Sequence, residues 1–438
     1  MILDGGIYRR VVTRRGLGDY EQYMRSGLHR RLLHSGLVLD HVEGPAPRPE
    51  GTWARLLTPE QVEFISYPYE WSFDEMKDAA LLTLNIQEDA LAHGMTLKDA
   101  SPFNVQFRGS RPVFIDTLSF ENNCGGAWIA YEQFCRQFLA PLLLMANGWP
   151  DANRYLRLDM NGFPLTQASR LLPKASWVRP GALLHLHLHA RSVQSSHGGA
   201  PPRAAVGRDT KPALAQSLRK TVENLRRPVE ASPWASYYQE ARFYSAQAQE
   251  SKQSGVNSFA ALTQPRLAYD LGANTGLFAR AMAENGALCI AFERDAACVN
   301  RLYLEERGDP SSRVLPLVMD LDNPSPALGC GLNATLSLAE RPQADLVLCL
   351  ALLHHLRFSA NLPLRKIADF LVLLGRRLLI EFVPPEDAAA RMLIHGRDGF
   401  DDYSPEGFLG AFNEAYTLRG ETPIQDSQRR LYLFERRN

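Results

Sequence analysis

A chain of 438 residues exceeds the usual size of one compact domain, so two domains are expected, each with its own core. Lysine and arginine number 48, as do aspartate and glutamate, which removes any general electrostatic pull toward nucleic acid or an anionic membrane. The six cysteines (Cys124, Cys135, Cys289, Cys298, Cys330, Cys349) are scattered without C-x-x-C or metal-ligand spacing and read as reduced residues. The N-terminus lacks a signal-peptide apolar core and the longest apolar run, 138–146, is too short to span a bilayer, so a cytoplasmic location is expected.

The first half opens with the strand-like IYRRVV and a helix over 19–34, followed by the aromatic segment 64–71 and a long helix over 73–93. Then comes LKDASPFNVQFRGSRPVFIDTLSF, in which Asp99 precedes Asn104 by five residues and an apolar strand ends in Ile115-Asp116. This resembles the catalytic and metal-binding loops of protein-kinase-like folds. The resemblance implies that Asp99 orients a hydroxyl, that Asn104 and Asp116 hold Mg²⁺, and that 64–71 is the hinge.

The chain departs from that pattern. It has no Gly-rich loop, Lys98 stands at the place of the HRD arginine, Leu118 interrupts a D-F-G reading, and no lysine occurs before Lys77. Arg9 or Arg10 must then replace the phosphate-contacting lysine, with Glu21 as its partner. Three readings stay open: an active phosphotransferase, a degenerate kinase-like binding module, or a coincidental loop in which Asp99 and Asn104 only cap backbone. The run Leu184-His185-Leu-His187-Leu-His189 puts three imidazoles on one face if extended, yet no carboxylate or cysteine clusters near it, and no metal site is assigned.

From 192 to 212 the sequence turns to Ser, Gly, Pro and Ala, too apolar-poor for a core, and is expected to be a flexible linker. This divides the chain into a substrate- or partner-binding domain at 1–191 and a second domain at 213–438. The polar helical stretch 213–226 and the aromatic stretch 234–252, with Tyr237, Tyr238 and Tyr244, are placed with the second domain.

Beyond Pro265, short apolar runs alternate with helical stretches. Strands are expected at 266–270, 287–293, 314–319, 345–350, 376–382 and 430–435, and helices at 275–285, 295–306, 361–374 and 404–413. Such alternation implies an α/β domain built on a parallel, doubly wound sheet that binds ligands beyond the carboxyl ends of its strands.

The segment Asp270-Leu-Gly272-Ala-Asn274-Thr-Gly276 follows the first of these strands and opens a helix. Glycines let backbone approach a ligand closely, and a strand-end carboxylate can take an ammonium group such as that of S-adenosylmethionine. The Gly272-x-x-x-Gly276 spacing is not the G-x-G-x-x-G of a dinucleotide site. Glu293 ends the next strand, where nucleotide sites place an acid on both ribose hydroxyls. Asp320 ends the third strand, positioned for an adenine amino group, with Asp322 as its competitor.

At these residues the chain resembles class I S-adenosylmethionine-dependent methyltransferases, which implies a Rossmann-like seven-stranded sheet with S-adenosyl-L-methionine as cofactor. Asp270, Gly272, Asn274, Gly276, Glu293 and Asp320 are then the cofactor-binding residues.

The fourth strand leads into Leu353-His354-His355-Leu356, at the rim where an acceptor would sit. If the acceptor is a hydroxyl, His354 or His355 is the expected base; otherwise one imidazole caps the next helix or packs under the cofactor. The chain has no Asn/Asp-Pro-Pro-Tyr sequence, which weighs against methylation of nucleic-acid bases. The pieces MDLDNPSP, LLHHL, Glu381-Phe-Val-Pro-Pro-Glu386-Asp and Asp402-Tyr-Ser-Pro-Glu-Gly-Phe408 resemble the methyltransferase family that includes the nodulation protein NoeA. That association supports the reaction and leaves the acceptor open, with a hydroxyl of a small molecule or carbohydrate as the candidate. A non-catalytic cofactor-binding scaffold, or a bifunctional protein with phosphotransfer in its first domain, is the alternative. The oligomeric state is not readable.

Overall fold

The structure, a computed structural model, describes residues 2–4, 7–45, 52–196, 209–228 and 244–437. Its contacts divide the chain into two units, Met1–Val229 and Glu230–Asn438.

In the first unit β1 (Ile2–Asp4), β2 (Ile7–Thr13), β3 (His41–Pro45) and β4 (Trp53–Pro59) form an antiparallel sheet in the order β1-β2-β4-β3. The single helix expected over 19–34 is instead two, Leu17–Arg25 and Leu28–His34. Gly27 separates them with φ +82°, a left-handed conformation that ends one helix and opens the next.

The long helix Phe73–Ala92 starts where the Ser72 N–H donates to the Glu75 carboxylate at 2.7 Å. It leads to β5 (Met95–Leu97), which pairs with β8 (Phe120–Asn122). Between those two strands lies the hairpin of β6 (Val105–Arg108) and β7 (Arg111–Phe114).

The domain boundary expected from composition is corrected. The helix Lys211–Glu223 belongs to the first unit, where Ala215, Leu218 and Val222 form a buried stripe. Arg219 holds Glu88 of the long helix through two bonds of 2.9 and 2.6 Å, and Lys77 donates to the carbonyls of Glu223 and Leu225. A stripe at i, i+3, i+7 needs a partner face, and the composition of the preceding residues does not reveal which domain supplies it. Of the expected linker, 192–196 continues a helix, 197–208 lies outside the described residues, and Lys211 is anchored to Asn123 and Gly125. Trp234, Tyr237 and Tyr238 also lie outside the described residues.

The second unit is a seven-stranded sheet of β9 (Leu267–Leu271), β10 (Leu288–Glu293), β11 (Val314–Val318), β12 (Ala344–Cys349), β13 (Gly375–Phe382), β14 (Tyr416–Pro423) and β15 (Arg430–Arg436). Its order is β11-β10-β9-β12-β13-β15-β14. The first five strands are parallel, but β15 runs antiparallel to both its neighbours, so the sheet is mixed rather than wholly parallel. A short turn closed by Ile424 N–H to Arg429 C=O at 3.0 Å joins β14 to β15, and such a turn permits only antiparallel pairing. Strand β14 escapes sequence reading because it is an edge strand of alternating exposure, with a bulge between Leu418 and Gly420 and Pro423 at its end.

The central strands are buried on both faces, which accounts for their continuous apolar runs. Helix Leu364–Leu374 shows how the covering layer is encoded: Leu364, Ile367, Ala368, Leu371 and Leu374 are buried at helical spacing. No helix of the described residues is long and apolar enough to cross a membrane.

Gly276 couples this fold to the site. It has φ +84° at the start of helix Leu277–Glu284, and a Cβ there would lie 2.4 Å from Cδ1 of the buried Leu302. Gly276→Ala is expected to destabilise the protein by about 1–3 kcal/mol through strain and overpacking, read as a lower Tm in thermal unfolding.

Candidate active site

Beyond β9 the chain turns through residues 272–276 into helix Leu277–Glu284. Gly272, at φ +75°, and Ala273 both donate backbone N–H bonds to Phe292 C=O, at 2.8 and 3.0 Å, so the loop is laid against the end of β10. Asn274 is also left-handed, at φ +51°, a conformation asparagine tolerates better than most residues. A Cβ on Gly272 would come within 3.4 Å of the Leu352 side chain, so glycine keeps the floor beside that leucine open.

Glu293 closes β10 with its carboxylate fixed by two backbone donors, Asn274 N–H and Asp295 N–H, each at 2.9 Å. Burial nonetheless raises its pKa above the ordinary value. Asp320, just past β11, meets the Arg294 guanidinium at 3.2 Å, and the same arginine reaches Asp322 at 3.8 Å. These residues line a cavity of about 560 Å³ together with Gly272, Asn274, Leu352 and His355. That size lies in the ~300–1,000 Å³ range of small-molecule sites, and its place beyond the carboxyl ends of parallel strands is the one doubly wound sheets use.

Three of the residues singled out from sequence stand behind this cavity. Gly276 shapes the helix start. Asp270 shares a face of β9 with Ala268, the face packed by helices Ala246–Thr263 and Leu277–Glu284, because strand side chains alternate. It is 2 % exposed, and its Oδ2 has no hydrogen-bond partner. His354 is likewise buried, with an unpartnered Nδ1, and desolvation, reinforced by His355, Arg429 and Lys252, pushes its pKa far below the ordinary histidine value. His355 is the one of the pair that lines the cavity, at the start of a π-helical turn over His355–Ser359. Burial lowers its pKa as well.

Sequence reading missed the charge cluster next to Asp270. Glu381, fully buried at the end of β13, pairs with Lys252 at 2.7 Å, accepts from the Tyr244 hydroxyl at 2.6 Å and faces Arg429 at 3.4 Å. Arg429 also holds Asp387 through two bonds of 2.8 and 2.9 Å. Burial alone would raise the Glu381 pKa, but Lys252 and Arg429 hold it below the ordinary value. Lys252 sits on a mostly polar helix and Arg429 in a turn, so neither carries a spacing signal. Only Glu381, a further acid at a strand end, was visible in the sequence.

In the first unit, Asn104 and Asp116 flank the β6–β7 hairpin and meet through Ser119: Asn104 Nδ2 donates to Ser119 Oγ at 3.3 Å, and Ser119 Oγ donates to Asp116 Oδ2 at 2.9 Å. Arg10 of β2 pairs with Asp116 at 2.8 Å. Asp99 accepts from Gln133 Nε2 at 2.8 Å and from Ser101 N–H at 3.1 Å, while Lys98 pairs with Asp19 at 3.5 Å. The nearby cavity, lined by Gly16, Asp19, Lys98 and Leu118 among others, holds about 120 Å³.

The three histidines at 185–189 are engaged by neighbouring side chains and do not converge on one point. His185 bonds Tyr131 and Ser217, His187 bonds Ser169 and Ser176, and His189 stacks on Tyr131.

Burial, opposed by Lys252 and reinforced by Glu293, raises the Asp270 pKa to about 7. The folded protein therefore keeps a proton that the unfolded chain releases near pH 4, so this group's stabilisation falls as pH rises through that window to about 7. In Asp270→Asn this pH-dependent loss should be absent. The difference in unfolding free energy between the two proteins should shift by about 2–4 kcal/mol from pH 4 to pH 7 in denaturant titrations.

No protein-family model matches the chain. It is 35 % identical over 421 residues to the nodulation protein NoeA of Rhizobium meliloti (strain 1021), covering 93 % of this chain and 88 % of that protein. Among solved structures, magnesium protoporphyrin IX methyltransferase ChlM from Synechocystis PCC 6803, with bound S-adenosylhomocysteine, matches at 17 % identity and TM-score 0.34, covering 46 % of this chain and 94 % of its own. N-methyltransferase NodS from Bradyrhizobium japonicum WM9 matches at 15 % identity and TM-score 0.33, covering 44 % of this chain and 98 % of its own. With identity extending over both units, the chain belongs to the family of the nodulation protein NoeA.

Proposed function

We propose that this S-adenosylmethionine-dependent methyltransferase delivers its methyl group to a hydroxyl of a small molecule or carbohydrate. The observation that carries the reading is the cavity in which the glycine loop and the Glu293 carboxylate, held by two backbone amides, meet at the carboxyl ends of β9 and β10. A carboxylate oriented this way accepts from a pair of ribose hydroxyls, and the floor at Gly272 lets a ligand approach backbone. Asp320, or Asp322 beside it, is available to an adenine amino group once Arg294, which is 71 % exposed, swings aside. When bound, S-adenosylmethionine supplies a methyl group on a sulfonium centre that any aligned nucleophile can displace.

The chain's own contribution is alignment and the removal of one proton. His355 lines the cavity and is neutral near pH 7, because burial lowers its pKa, so its ring can accept a hydroxyl proton. His354 touches no part of the cavity wall and acts as packing beneath it. Asp270 is buried next to the charge cluster and does not line the cavity, so it does not contact the ligand directly.

A second reading concerns the first unit, which we take as a degenerate kinase-like module that binds substrate or partner. The Arg10–Asp116 pair and the hairpin between Asn104 and Asp116 favour the kinase-like layout. Asp99 is already occupied by Gln133 and Ser101, and the neighbouring cavity is well below the ~300 Å³ of a small-ligand site, which favours binding over phosphotransfer.

Calorimetry with S-adenosylmethionine and S-adenosylhomocysteine should find both bound, with Glu293→Ala weakening each by about 1.5–3 kcal/mol, the range for a hydrogen bond to a charged group. Equal affinity in the variant would remove the site assignment. With labelled cofactor and a panel of oligosaccharide and small-molecule hydroxyls, His355→Ala should lower kcat about 10²–10⁴-fold while leaving cofactor affinity unchanged. The acid limb of the wild-type rate profile should lie below an unperturbed histidine's ~6.5. An unaltered kcat would take the base role from His355.

A further inference from the structure

We propose that His29, Asp40 and His41 form a binding site for a divalent metal ion of the zinc class in the first unit. His29 lies on helix Leu28–His34, and Asp40 and His41 stand at the entrance to β3, so two elements converge there. One ligand atom from each of the three residues lies within 4.8 Å of the others, and His29 Nε2 is 3.7 Å from Asp40 Oδ1. Ligands around a tetrahedral zinc with bonds of 2.0–2.1 Å sit about 3.4 Å apart, so a contraction of at most about 1.4 Å closes the site.

The hydrogen bonds fix which ring atoms are free. Tyr20 donates its hydroxyl proton to Glu43 Oε1 at 2.5 Å, so toward His41 Nε2, at 2.9 Å, the same oxygen must accept. His41 therefore carries its proton on Nε2, and Nδ1 presents a lone pair. That Nδ1 is buried and has no hydrogen-bond partner, an arrangement that costs free energy unless a ligand takes the lone pair.

His29 is also held by a tyrosine. Its Nδ1 meets the Tyr23 hydroxyl at 3.2 Å, which leaves Nε2 to face Asp40 at a distance too long for a hydrogen bond. Each histidine thus has one ring nitrogen held by a tyrosine of helix Leu17–Arg25, the outer-shell pattern that orients metal-ligating imidazoles.

Two imidazoles and a carboxylate suit a borderline ion such as Zn²⁺. The Asp40 side chain is 61 % exposed and already accepts from His41 N–H at 2.8 Å, which leaves the solvent side open for a fourth ligand such as water. The ion would tie helix Leu28–His34 to the start of β3. The site is independent of the methyltransferase reading, which concerns the other unit.

The test uses the full chain, stripped of metal with a chelator and then titrated with Zn²⁺ against a chromophoric competitor and, separately, with Co²⁺. One equivalent of Zn²⁺ should bind and raise Tm, and Co²⁺ should give visible d–d bands without thiolate charge transfer. His41→Ala and His29→Ala should lose that equivalent. Asp40→Asn, at an exposed position that leaves the core intact, should weaken Zn²⁺ binding at least tenfold and abolish the Tm rise. Zn²⁺ stoichiometry unchanged in all three variants, thiolate bands in the Co²⁺ spectrum, or no binding to the wild type at micromolar Zn²⁺ would overturn the proposal.

Discussion

The second unit is organised around one buried charge, the Glu381 carboxylate. It ends β13 with no exposure to solvent, and a carboxylate in that position is tolerable only if cations and hydrogen-bond donors surround it. Lys252, Tyr244 and Arg429 supply them from a helix, the segment before it and a turn far apart in sequence. Meeting that requirement fixes helix Ala246–Thr263 against the sheet, holds the β14–β15 turn, and through Arg429 secures the start of helix Ala388–Ile394 by way of Asp387. A pair of this kind adds little net stability over an apolar equivalent, whereas removing one partner leaves a buried charge at a cost of about 3–5 kcal/mol. The cluster thereby ties helix Ala246–Thr263, the β14–β15 turn and the start of helix Ala388–Ile394 to the end of β13.

Asp270 shows how that arrangement reaches the glycine loop. It lies on the helix-covered face of β9 and feels both Lys252 and Glu293, so the charge state of the cluster and that of the cavity acid are coupled through it. The loop that follows is pinned to β10 by its own backbone, and Glu293 is in turn pinned by the loop. Ligand-facing groups are thus held by main-chain bonds, which resist displacement, while charged side chains behind them set the electrostatics.

The two units contrast in how they use similar polar motifs. In the second, Glu293 and His355 face open volume. In the first, Asp99, Asn104 and Asp116 are engaged by Gln133, Ser119 and Arg10, and little cavity remains beside them. Spacing alone cannot separate these outcomes, because a polar residue on a turn has the same sequence signature whether it holds a ligand or its own backbone.

The sequence by itself determined most of the second fold: five buried parallel strands read as apolar runs and helices such as Leu364–Leu374 read from their spacing, whereas the antiparallel course of β15 and helices Ala246–Thr263 and Ala388–Ile394 did not. It also determined the glycine loop, where Gly272 and Gly276 adopt conformations that other residues resist, and the strand-end acids Glu293 and Asp320. Tertiary structure alone decided the rest. Edge strand β14 alternates only between half-buried and exposed residues after Tyr416 and is interrupted by a bulge, and the polar helix Lys211–Glu223 declares its unit only by the stripe it matches. Which of His354 and His355 reaches the cavity depends on the direction of a single turn. The pairings of Lys252 with Glu381 and of His29 with His41 join residues whose approach is fixed by packing, and no local periodicity encodes contacts between elements that distant in the chain.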